Sequence, residues 1–294
     1  MDANNADCRF QTMTTIRGLL AATGGFPKKR FGQCFLIDRN LMGKLVASAE
    51  LHATDCVLEV GTGTGSLTGL LAAQCARVVT VEVDADVAAI AREQLADFDN
   101  IDFVETDALQ SKSVLAPELV AALTRAISGA GGEMKLVANL PYDIATSLVV
   151  NMLLSDLPLS RLCFTVQAEV ADRFLAAPDT NDYGPVTILT YLLAEGQRVC
   201  KLPPTAFWPA PKVHSAMVRL DVRPREAVAV QDLPGFSKFI HTFFNYRRKT
   251  IAHIARETGT YERLLSKLDE LGISPTSRSE NLAPEQWIAM FHAV

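Results

Sequence analysis

The chain has 294 residues, of which 49% are hydrophobic and 21% are charged, and its formal net charge is −5. This composition is typical of a globular protein with one large domain plus a small one, or two domains, and no apolar run approaches the roughly 18 to 20 residues that a membrane span requires. The six cysteines have no C-x-x-C spacing, so neither a zinc site nor a disulfide framework is indicated, and the N-terminus matches no secretory or transit signal. We therefore expect a cytoplasmic protein without a metal, whose acidic balance argues against a surface coated with nucleic acid.

The first 27 residues predict a polar N-terminal extension with a short helix from Thr14 to Ala22. From Asp55 onward, apolar runs typical of strands alternate with helical stretches. The predicted strands are 56–60, 78–84, 101–107, 135–139, 161–167, 196–202 and 216–222, and the predicted helices begin at Ser66, Asp86 and Thr146. This alternation predicts an α/β fold with a mostly parallel sheet.

Two segments depart from the alternation. Residues 111–133 predict a helix and a flexible loop, and residues 223–235, which contain prolines and charges, predict a linker. Beyond this linker the chain has helical periodicity only. We therefore divide the chain into an N-terminal extension (1–27), a large α/β domain (28–225) and a small all-helical C-terminal domain (226–294).

A glycine-rich turn follows the predicted strand 56–60 in the segment VLEVGTGTGSLTGLL. Gly61 and Gly63 carry no side chain, so a ligand can approach the backbone, and the next helix offers unpaired N–H groups. The spacing G-x-G-x-G differs from the dinucleotide fingerprint G-x-G-x-x-G, which weakens the case for NAD or FAD, and it lacks the G-K-[ST] ending of a P-loop.

Acidic residues end the next two predicted strands. Glu82 lies about 20 residues beyond the glycine turn, where a carboxylate usually binds ribose hydroxyls, and Asp107 can accept a hydrogen bond from an adenine amino group. Because these residues and Gly61 lie at the ends of neighbouring strands, they face one crevice. The set suits a nucleoside ligand with little phosphate, for which S-adenosylmethionine is the candidate; the alternative is a glycine turn that only serves packing.

The tetrapeptide Asn139-Leu140-Pro141-Tyr142 ends the predicted strand 135–139. Pro141 removes a backbone donor and favours an extended Leu140, so the local surface is rich in acceptors. If the Asn139 side-chain oxygen and the Leu140 carbonyl each accept a hydrogen from an amino group such as adenine N6, the nitrogen lone pair is directed at an incoming methyl group. Tyr142 would stack on a base that has left its helix, a contact worth roughly 1 to 3 kcal/mol. The alternative is a tight turn with a packed tyrosine.

Eight motifs occur in a characteristic order. They are KKRFGQCFLID (28–38), LEVGTGTGSLT (58–68), VEVD, ETDAL, ANLPY, PPTAFWPAPKVHSAMVRL (203–220), FFNYRRKTIAHI (243–254) and SRSENLAPEQW (277–287). This set resembles the ribosomal RNA adenine dimethyltransferases, and more narrowly the branch that dimethylates two adjacent adenosines near the 3′ end of small-subunit rRNA. The resemblance implies a Rossmann-like, S-adenosylmethionine-dependent methyltransferase sheet with a small helical C-terminal domain that contacts RNA.

The resemblance also implies roles for individual residues. Cofactor contacts are implied for Cys34, Leu36, Gly61, Gly63, Glu82, Asp107 and Asn139. Cys34 departs from the family, which usually has Asn or His at this position, and a thiol is a weak hydrogen-bonding group, so this contact is lost or is supplied by the backbone. The implied catalytic set is Asn139, Leu140, Pro141, Tyr142 and Phe207, in which Phe207 faces the target base from the side opposite Tyr142.

Two basic clusters are candidates for phosphate contacts on an otherwise acidic surface. The first is Lys28, Lys29 and Arg30, and the second is Arg247, Arg248 and Lys249, which we expect on a helix of the C-terminal domain. The alternative for the second cluster is a solvated helix end.

The sequence thus predicts a monomeric, S-adenosylmethionine-dependent rRNA (adenine-N6,N6)-dimethyltransferase of ribosome biogenesis, with S-adenosyl-L-homocysteine as its product. Its partner would be small-subunit rRNA within a ribosomal subunit or its precursor. Three alternatives stay open: dimethylation of an adenine in large-subunit rRNA, a non-catalytic nucleic-acid-binding or assembly factor on the same fold, and a small-molecule methyltransferase.

Overall fold

A mostly parallel sheet organises the part of the chain that the computed structural model describes, which is residues 10–28, 31–259 and 261–294. The strands are β1 Phe35–Leu36, β2 Cys56–Val60, β3 Arg77–Val81, β4 Ile101–Val104, β5 Leu109–Ser111, β6 Val114–Leu115, β7 Met134–Asn139, β8 Leu159–Gln167, β9 Ala194–Leu202, β10 Phe207–Trp208 and β11 Ser215–Val222. The α-helices are α1 Met13–Ala22, α2 Arg39–Ser48, α3 Ser66–Ala72, α4 Ala85–Gln94, α5 Pro117–Gly129, α6 Ala145–Leu154, α7 Ala168–Phe174, α8 Pro185–Leu193, α9 Leu233–Phe244, α10 Ile251–Glu257, α11 Tyr261–Leu268 and α12 Pro284–His292.

The strand order within the described residues is β4-β3-β2-β7-β8-β11-β9. The pairs β2–β3, β3–β4, β2–β7 and β7–β8 are parallel, whereas β11 runs antiparallel to β8. The predicted α/β class is therefore confirmed. From β2 the chain proceeds through β3 and β4 on one side, and from β7 it proceeds to β8 on the other, so the order reverses between β2 and β7. Ligands of open α/β sheets bind in the crevice that such a reversal leaves at the carboxyl ends of the strands.

The central strands are buried on both faces. All five residues of β2 are buried, and Leu136, Val137 and Ala138 of β7 have no exposed surface. Helices cover the sheet with apolar side chains such as Leu45 of α2. Continuous apolar strands under helices are expected in a parallel sheet, and they explain why β2 and β7 have no alternating pattern.

The N-terminal helix packs on the α/β unit through a small apolar cluster. Thr12 caps α1 by accepting a hydrogen bond from the Thr15 amide. Ile16 and Leu20 of α1 then pack with Val87 and Ile90 of α4. This contact places the N-terminal helix beside the carboxyl end of the sheet, because α4 begins just after β3.

The described residues divide into two compact units, one within residues 10–171 together with Gln197–Val222, and one of Asp172–Gly196 together with Arg223–Val294. The sequence analysis assigned residues 172–196 to the large domain, whereas here they pack with the C-terminal helices. Tyr183 has no exposed surface, and its hydroxyl donates to the Leu282 carbonyl over 2.6 Å. Trp287 is fully buried in the same unit, with its ring centroid 5.5 Å from that of Phe244.

Two other predicted segments differ from the structure. In residues 111–133 the predicted helix is present as α5, which Pro117 begins and which buries Leu119 and Leu123, but the end of an unpredicted β5–β6 hairpin precedes it. The helical periodicity predicted beyond the linker is interrupted at 245–250, and Thr250 caps the next helix, α10, by accepting from the His253 amide. Helices α7 and α8 were not predicted.

A buried ion pair anchors the amino end of β7. Lys135 Nζ lies 2.8 Å from Asp55 Oδ2, and the two side chains are only 2% and 1% exposed. Lys135 also donates to the Glu50 carbonyl, and Asp55 accepts from the His52 amide. These bonds compensate both charges, so they fix the start of the strand whose other end is Asn139.

Replacing Lys135 by Met is expected to lower the free energy of unfolding by roughly 3 to 5 kcal/mol, because it leaves the Asp55 carboxylate buried without its cation. The measurement is urea unfolding followed by circular dichroism. The matched control is Lys112→Met at an exposed lysine, which should change stability by about 0.5 kcal/mol or less. Equal effects of the two substitutions would contradict the proposed anchoring.

Candidate functional site

The carboxyl ends of β2, β3 and β7 surround one cavity. Gly61 directly follows β2, Glu82 directly follows β3 and Asn139 ends β7. Of the residues proposed from the sequence, those lining this cavity are Cys34, Leu36, Gly61, Gly63, Glu82, Asp107, Asn139, Leu140, Pro141 and Tyr142. The structure therefore brings together residues that lie up to 108 positions apart in the chain, from Cys34 to Tyr142.

The turn after β2 needs its glycines. Gly61 and Gly63 have φ angles of +87° and +55°, which disfavour any residue with a Cβ atom. A Cβ atom on Gly63 would also lie 3.2 Å from the Phe35 ring, closer than ordinary contact. The backbone of the turn is thus open to a ligand on the cavity side.

Glu82 is held by backbone amides. Its carboxylate accepts hydrogen bonds of 3.0 Å from the Gly63 and Asp84 amides. Burial raises the pKa of this carboxyl, and the two amide bonds oppose that effect. A carboxylate oxygen has two lone pairs, so the fixed group retains acceptor capacity for a ligand.

Asp107 is exposed and lies three residues beyond Val104, the last residue of β4, rather than at the end of the strand. Its Oδ1 accepts from the Leu109 amide over 3.0 Å, which forms a local turn before the β5–β6 hairpin. The side chain is therefore held at the cavity by a turn and not by the sheet.

Asn139 is bound at both ends of its side-chain amide. Its Nδ2 donates to the Cys34 carbonyl over 2.7 Å, and its Oδ1 accepts from the Thr165 hydroxyl. A carbonyl oxygen has two lone pairs, so Oδ1 can accept one further hydrogen bond. Residue 34 therefore contacts Asn139 through its backbone carbonyl and not through its thiol.

The remaining tetrapeptide residues are fixed by packing and by one hydrogen bond. The Leu140 side chain is 1% exposed, and a Cβ atom on Gly61 would lie 3.5 Å from the Pro141 ring. The Tyr142 hydroxyl lies 2.7 Å from Oγ of Ser215, which has no exposed surface. Burial raises the pKa of Tyr142. The half-buried tyrosine ring is therefore anchored at its hydroxyl.

Phe207 does not line the cavity. It pairs with Leu36 in the short β1–β10 ladder, is 2% exposed and packs in the hydrophobic core. The neighbouring Trp208 stacks on Phe35 with ring centroids 6.2 Å apart. The prediction that Phe207 faces a target base is therefore not supported by this geometry, because strand pairing directs its ring into the core.

The first basic cluster contributes a structural ion pair. Lys28 Nζ lies 2.7 Å from Asp84 and 2.8 Å from Asp86, and these partners raise the pKa of Lys28. Gln33 also donates to Asp84 over 2.9 Å. Lys28 and Gln33 therefore both bind the start of α4, and Lys28 does not offer a free cation. Lys29 and Arg30 lie outside the described residues.

The second basic cluster lies in a turn, not on the predicted helix. Residues 245–250 connect α9 to α10. Arg247 Nε donates to Glu280 over 2.8 Å, so its charge is already paired. Arg248 and Lys249 are exposed, as is Tyr246, whose side chain is 45% exposed. The turn thus presents two cations and an aromatic ring to solvent.

Sequence analysis missed two polar residues near the glycine turn. The Gln11 side chain donates to the Thr64 carbonyl over 2.8 Å, and its backbone amide donates to Ser66 Oγ. Glu59 is buried within β2 and accepts from the Thr68 and Thr80 hydroxyls. Of these two residues, only Glu59 could have been found from the sequence, because it is an acidic residue inside an apolar strand.

Within residues 10–28, 31–259 and 261–294, no group of three or more His, Cys, Asp or Glu side chains is arranged to hold a metal ion. In the same residues, no helix is both long and apolar enough to cross a membrane.

Comparison with known proteins identifies similar chains. The family described as "Ribosomal RNA adenine dimethylase" matches residues 27–294. A "Ribosomal RNA small subunit methyltransferase A" of Moorella thermoacetica is 36% identical over 92% of this chain and 94% of its own length. One of the same name from Streptococcus pneumoniae strain CGSP14 is 34% identical over 97% of this chain and 98% of its own length.

Two solved structures are also similar. A dimethyladenosine transferase from Plasmodium falciparum has a TM-score of 0.73 at 22% identity, covering 87% of this chain and 95% of that one, which supports the fold. The 23S rRNA methyltransferase ErmE has a TM-score of 0.63 at 28% identity, covering 88% of this chain and 98% of that one.

Burial raises the pKa of Glu59 to about 8, from an ordinary value of 4.5. Between these two pH values the unfolded chain is ionised at Glu59 while the folded protein keeps the proton, so stability should fall as pH rises from 4.5 to about 8. Glu59→Gln, which mimics the neutral carboxyl, should remove this part of the pH dependence. Urea unfolding at a series of pH values measures it.

The control for this series is Glu118→Gln at an exposed glutamate of α5, which should keep the wild-type slope. If Glu59→Gln also keeps that slope, Glu59 is not the buried neutral carboxyl inferred from its surroundings.

Proposed function

Since this chain belongs to the ribosomal RNA adenine dimethylase family, it is a ribosomal RNA methyltransferase, and we propose that it dimethylates N6 of two adjacent adenosines near the 3′ end of small-subunit rRNA. The choice of the small subunit is supported by the names of the relatives that are 34–36% identical over most of the chain. The observation that carries the chemistry is the position of Asn139, Leu140 and Tyr142 beside the glycine turn on one cavity.

S-adenosylmethionine is the proposed methyl donor, and S-adenosyl-L-homocysteine is the product. When bound, the donor supplies an activated methyl group on its sulfonium. The open backbone at Gly61 and Gly63 admits the ligand, Glu82 has acceptors for ribose hydroxyls, and Asp107 can accept from the adenine amino group. The Cys34 contribution is its carbonyl, which orients Asn139.

The tetrapeptide is proposed to hold the target amino group. Asn139 Oδ1 keeps one lone pair beyond the bond from Thr165, and the Leu140 carbonyl is the second acceptor. Two acceptors held on a strand end position the nitrogen lone pair, so positioning contributes more than acid–base chemistry. The anchored Tyr142 ring offers a face for stacking on an extruded base.

The second transfer imposes a further requirement. After the first methyl group is added, N6 has one hydrogen left, and the pocket must also accommodate the methyl group. Asn139 and Leu140 then compete for a single hydrogen, so the direction of each acceptor matters more than in the first transfer.

The helical unit is proposed to help hold the rRNA. Arg248, Lys249 and Tyr246 are exposed in one turn, and phosphate binding by cations together with aromatic stacking is a common mode of RNA contact. The proposed partner is rRNA within a small ribosomal subunit or its precursor, bound by a monomer in the cytoplasm.

A second candidate, dimethylation of an adenine in large-subunit rRNA, is favoured by the structural similarity to the 23S rRNA methyltransferase ErmE. Undermethylated small subunits and protein-free large-subunit rRNA, offered separately, distinguish the two. Dimethyladenosine formed only in the large-subunit rRNA would overturn the small-subunit assignment.

Asn139→Ala is expected to lower methyl transfer to undermethylated small subunits by about a hundredfold, because it removes a fixed acceptor at the reacting nitrogen. The measurement is mass spectrometry of rRNA nucleosides after incubation with S-adenosylmethionine. Asn151→Ala, a matched change on α6 outside the cavity lining, should keep wild-type turnover. Wild-type turnover of Asn139→Ala would contradict the assigned role.

Calorimetric titration with S-adenosylmethionine accompanies this assay. A wild-type protein that does not bind the donor and does not methylate rRNA would support the non-catalytic alternative. Binding of the donor with methylation of a small molecule but of no rRNA would support the third alternative.

Replacing Arg248 and Lys249 together by Gln is expected to weaken binding to small subunits. It should also reduce the slope of log affinity against log salt concentration by the amount that about two phosphate contacts contribute. Filter binding at several salt concentrations measures both. The control, Lys238→Gln with Lys267→Gln, removes the same charge from other sites in the same unit and should keep the wild-type salt slope. Equal slopes for both double variants would contradict an RNA contact at the turn.

A further inference from the structure

Thr165 is a fully buried residue in the middle of the sheet. It lies in β8 directly opposite Asn139 in β7, and it has no exposed surface. Its hydroxyl donates to Asn139 Oδ1. A threonine in a strand is usually a packing choice, because β-branched side chains suit a sheet, but this hydroxyl contacts the residue proposed to hold the target amino group.

Two groups together fix the orientation of the Asn139 amide. The Cys34 carbonyl accepts from Nδ2 over 2.7 Å, and the Thr165 hydroxyl donates to Oδ1. A flipped amide would place Oδ1 against the Cys34 carbonyl oxygen, where neither atom can donate. Thr165 then adds the bond that holds Oδ1 in place from the opposite side.

This arrangement leaves Oδ1 with one defined lone pair. Thr165 occupies one of the two acceptor positions, so a second donor can approach from the remaining direction only. Without the Thr165 bond, a partly buried oxygen would lose a partner and the amide could rotate about its terminal torsion, which is intrinsically broad.

We propose that Thr165 is a positioning residue for methyl transfer: its hydroxyl directs the free lone pair of Asn139 Oδ1 at the target amino group. This inference rests on the proposed function and names a residue that acts through Asn139, not one that touches the substrate. Its effect should be larger in the second transfer, when N6 offers a single hydrogen.

The test compares Thr165→Val, which has nearly the same shape without the hydroxyl, with Thr165→Ser, which keeps it. Thr165→Val should lower kcat roughly tenfold and raise the ratio of N6-methyladenosine to N6,N6-dimethyladenosine, with little change in the affinity for S-adenosylmethionine. Thr165→Ser should restore both towards wild type. If the valine variant fails to fold, Thr165→Cys, a weak donor, replaces it in the comparison.

Three results would overturn the proposal. They are wild-type turnover of the valine variant, a serine variant as slow as the valine variant, and a loss of donor affinity that matches the loss of turnover. The last two would indicate that Thr165 acts through packing alone.

A second measurement does not depend on activity. The side-chain amide signals of Asn139, assigned by their loss in Asn139→Asp, should exchange slowly with solvent in the wild type and at least several-fold faster in Thr165→Val. Equal exchange overturns the positioning role. A wild type that makes no dimethyladenosine would instead overturn the proposed function, while the exchange comparison would still decide whether Thr165 holds Asn139.

Discussion

The reversal of strand order between β2 and β7 is the constraint on which the site depends. β2 and β7 are parallel neighbours, but the chain leaves them towards opposite sides of the sheet. The glycine turn after β2 and the tetrapeptide after β7 therefore lie side by side without a crossing connection between them. The Pro141 ring packs near Gly61 because of this adjacency, and the same adjacency places the proposed donor site and the proposed target site on one cavity.

The N-terminal segment completes the wall that the sheet leaves open. Gln11 bonds to the glycine turn, Ile16 packs on α4, and Lys28 pairs with Asp84 at the start of that helix. The Cys34 carbonyl then reaches Asn139. These contacts differ in chemistry, so the segment is held at several of its described residues and not by one interaction alone. Because the contact with Asn139 uses the Cys34 backbone, it does not depend on the thiol side chain.

What the sequence could predict depends on how far apart in the chain the interacting residues lie. Gly61, Glu82 and Asn139 were predictable, because the ends of parallel strands share one edge and the periodicity of strands is local. Thr165 and Ser215 were not, since a hydroxyl on a neighbouring strand has no pattern that links it to Asn139 or Tyr142. The packing of Phe207 was not predictable either, because it follows from pairing with Leu36 of β1, which lies 171 positions earlier in the chain. The grouping of residues 172–196 with residues that follow residue 222 was not predictable, because local patterns do not show which distant segment they pack with.

The ion pairs also limit the positive charge that this acidic chain can offer to RNA. Lys28 and Arg247 looked like free cations in the sequence, yet carboxylates pair with both, so counting basic residues overestimates the charge available to phosphates. In the described part of the two clusters, the exposed cations are Arg248 and Lys249. Because each phosphate contact adds a salt-dependent, sequence-independent contribution to affinity, few contacts mean weak general binding to RNA. A net charge of −5 opposes such binding further. This balance favours recognition of a folded rRNA site by its shape and by an extruded base. It disfavours general binding along the RNA backbone.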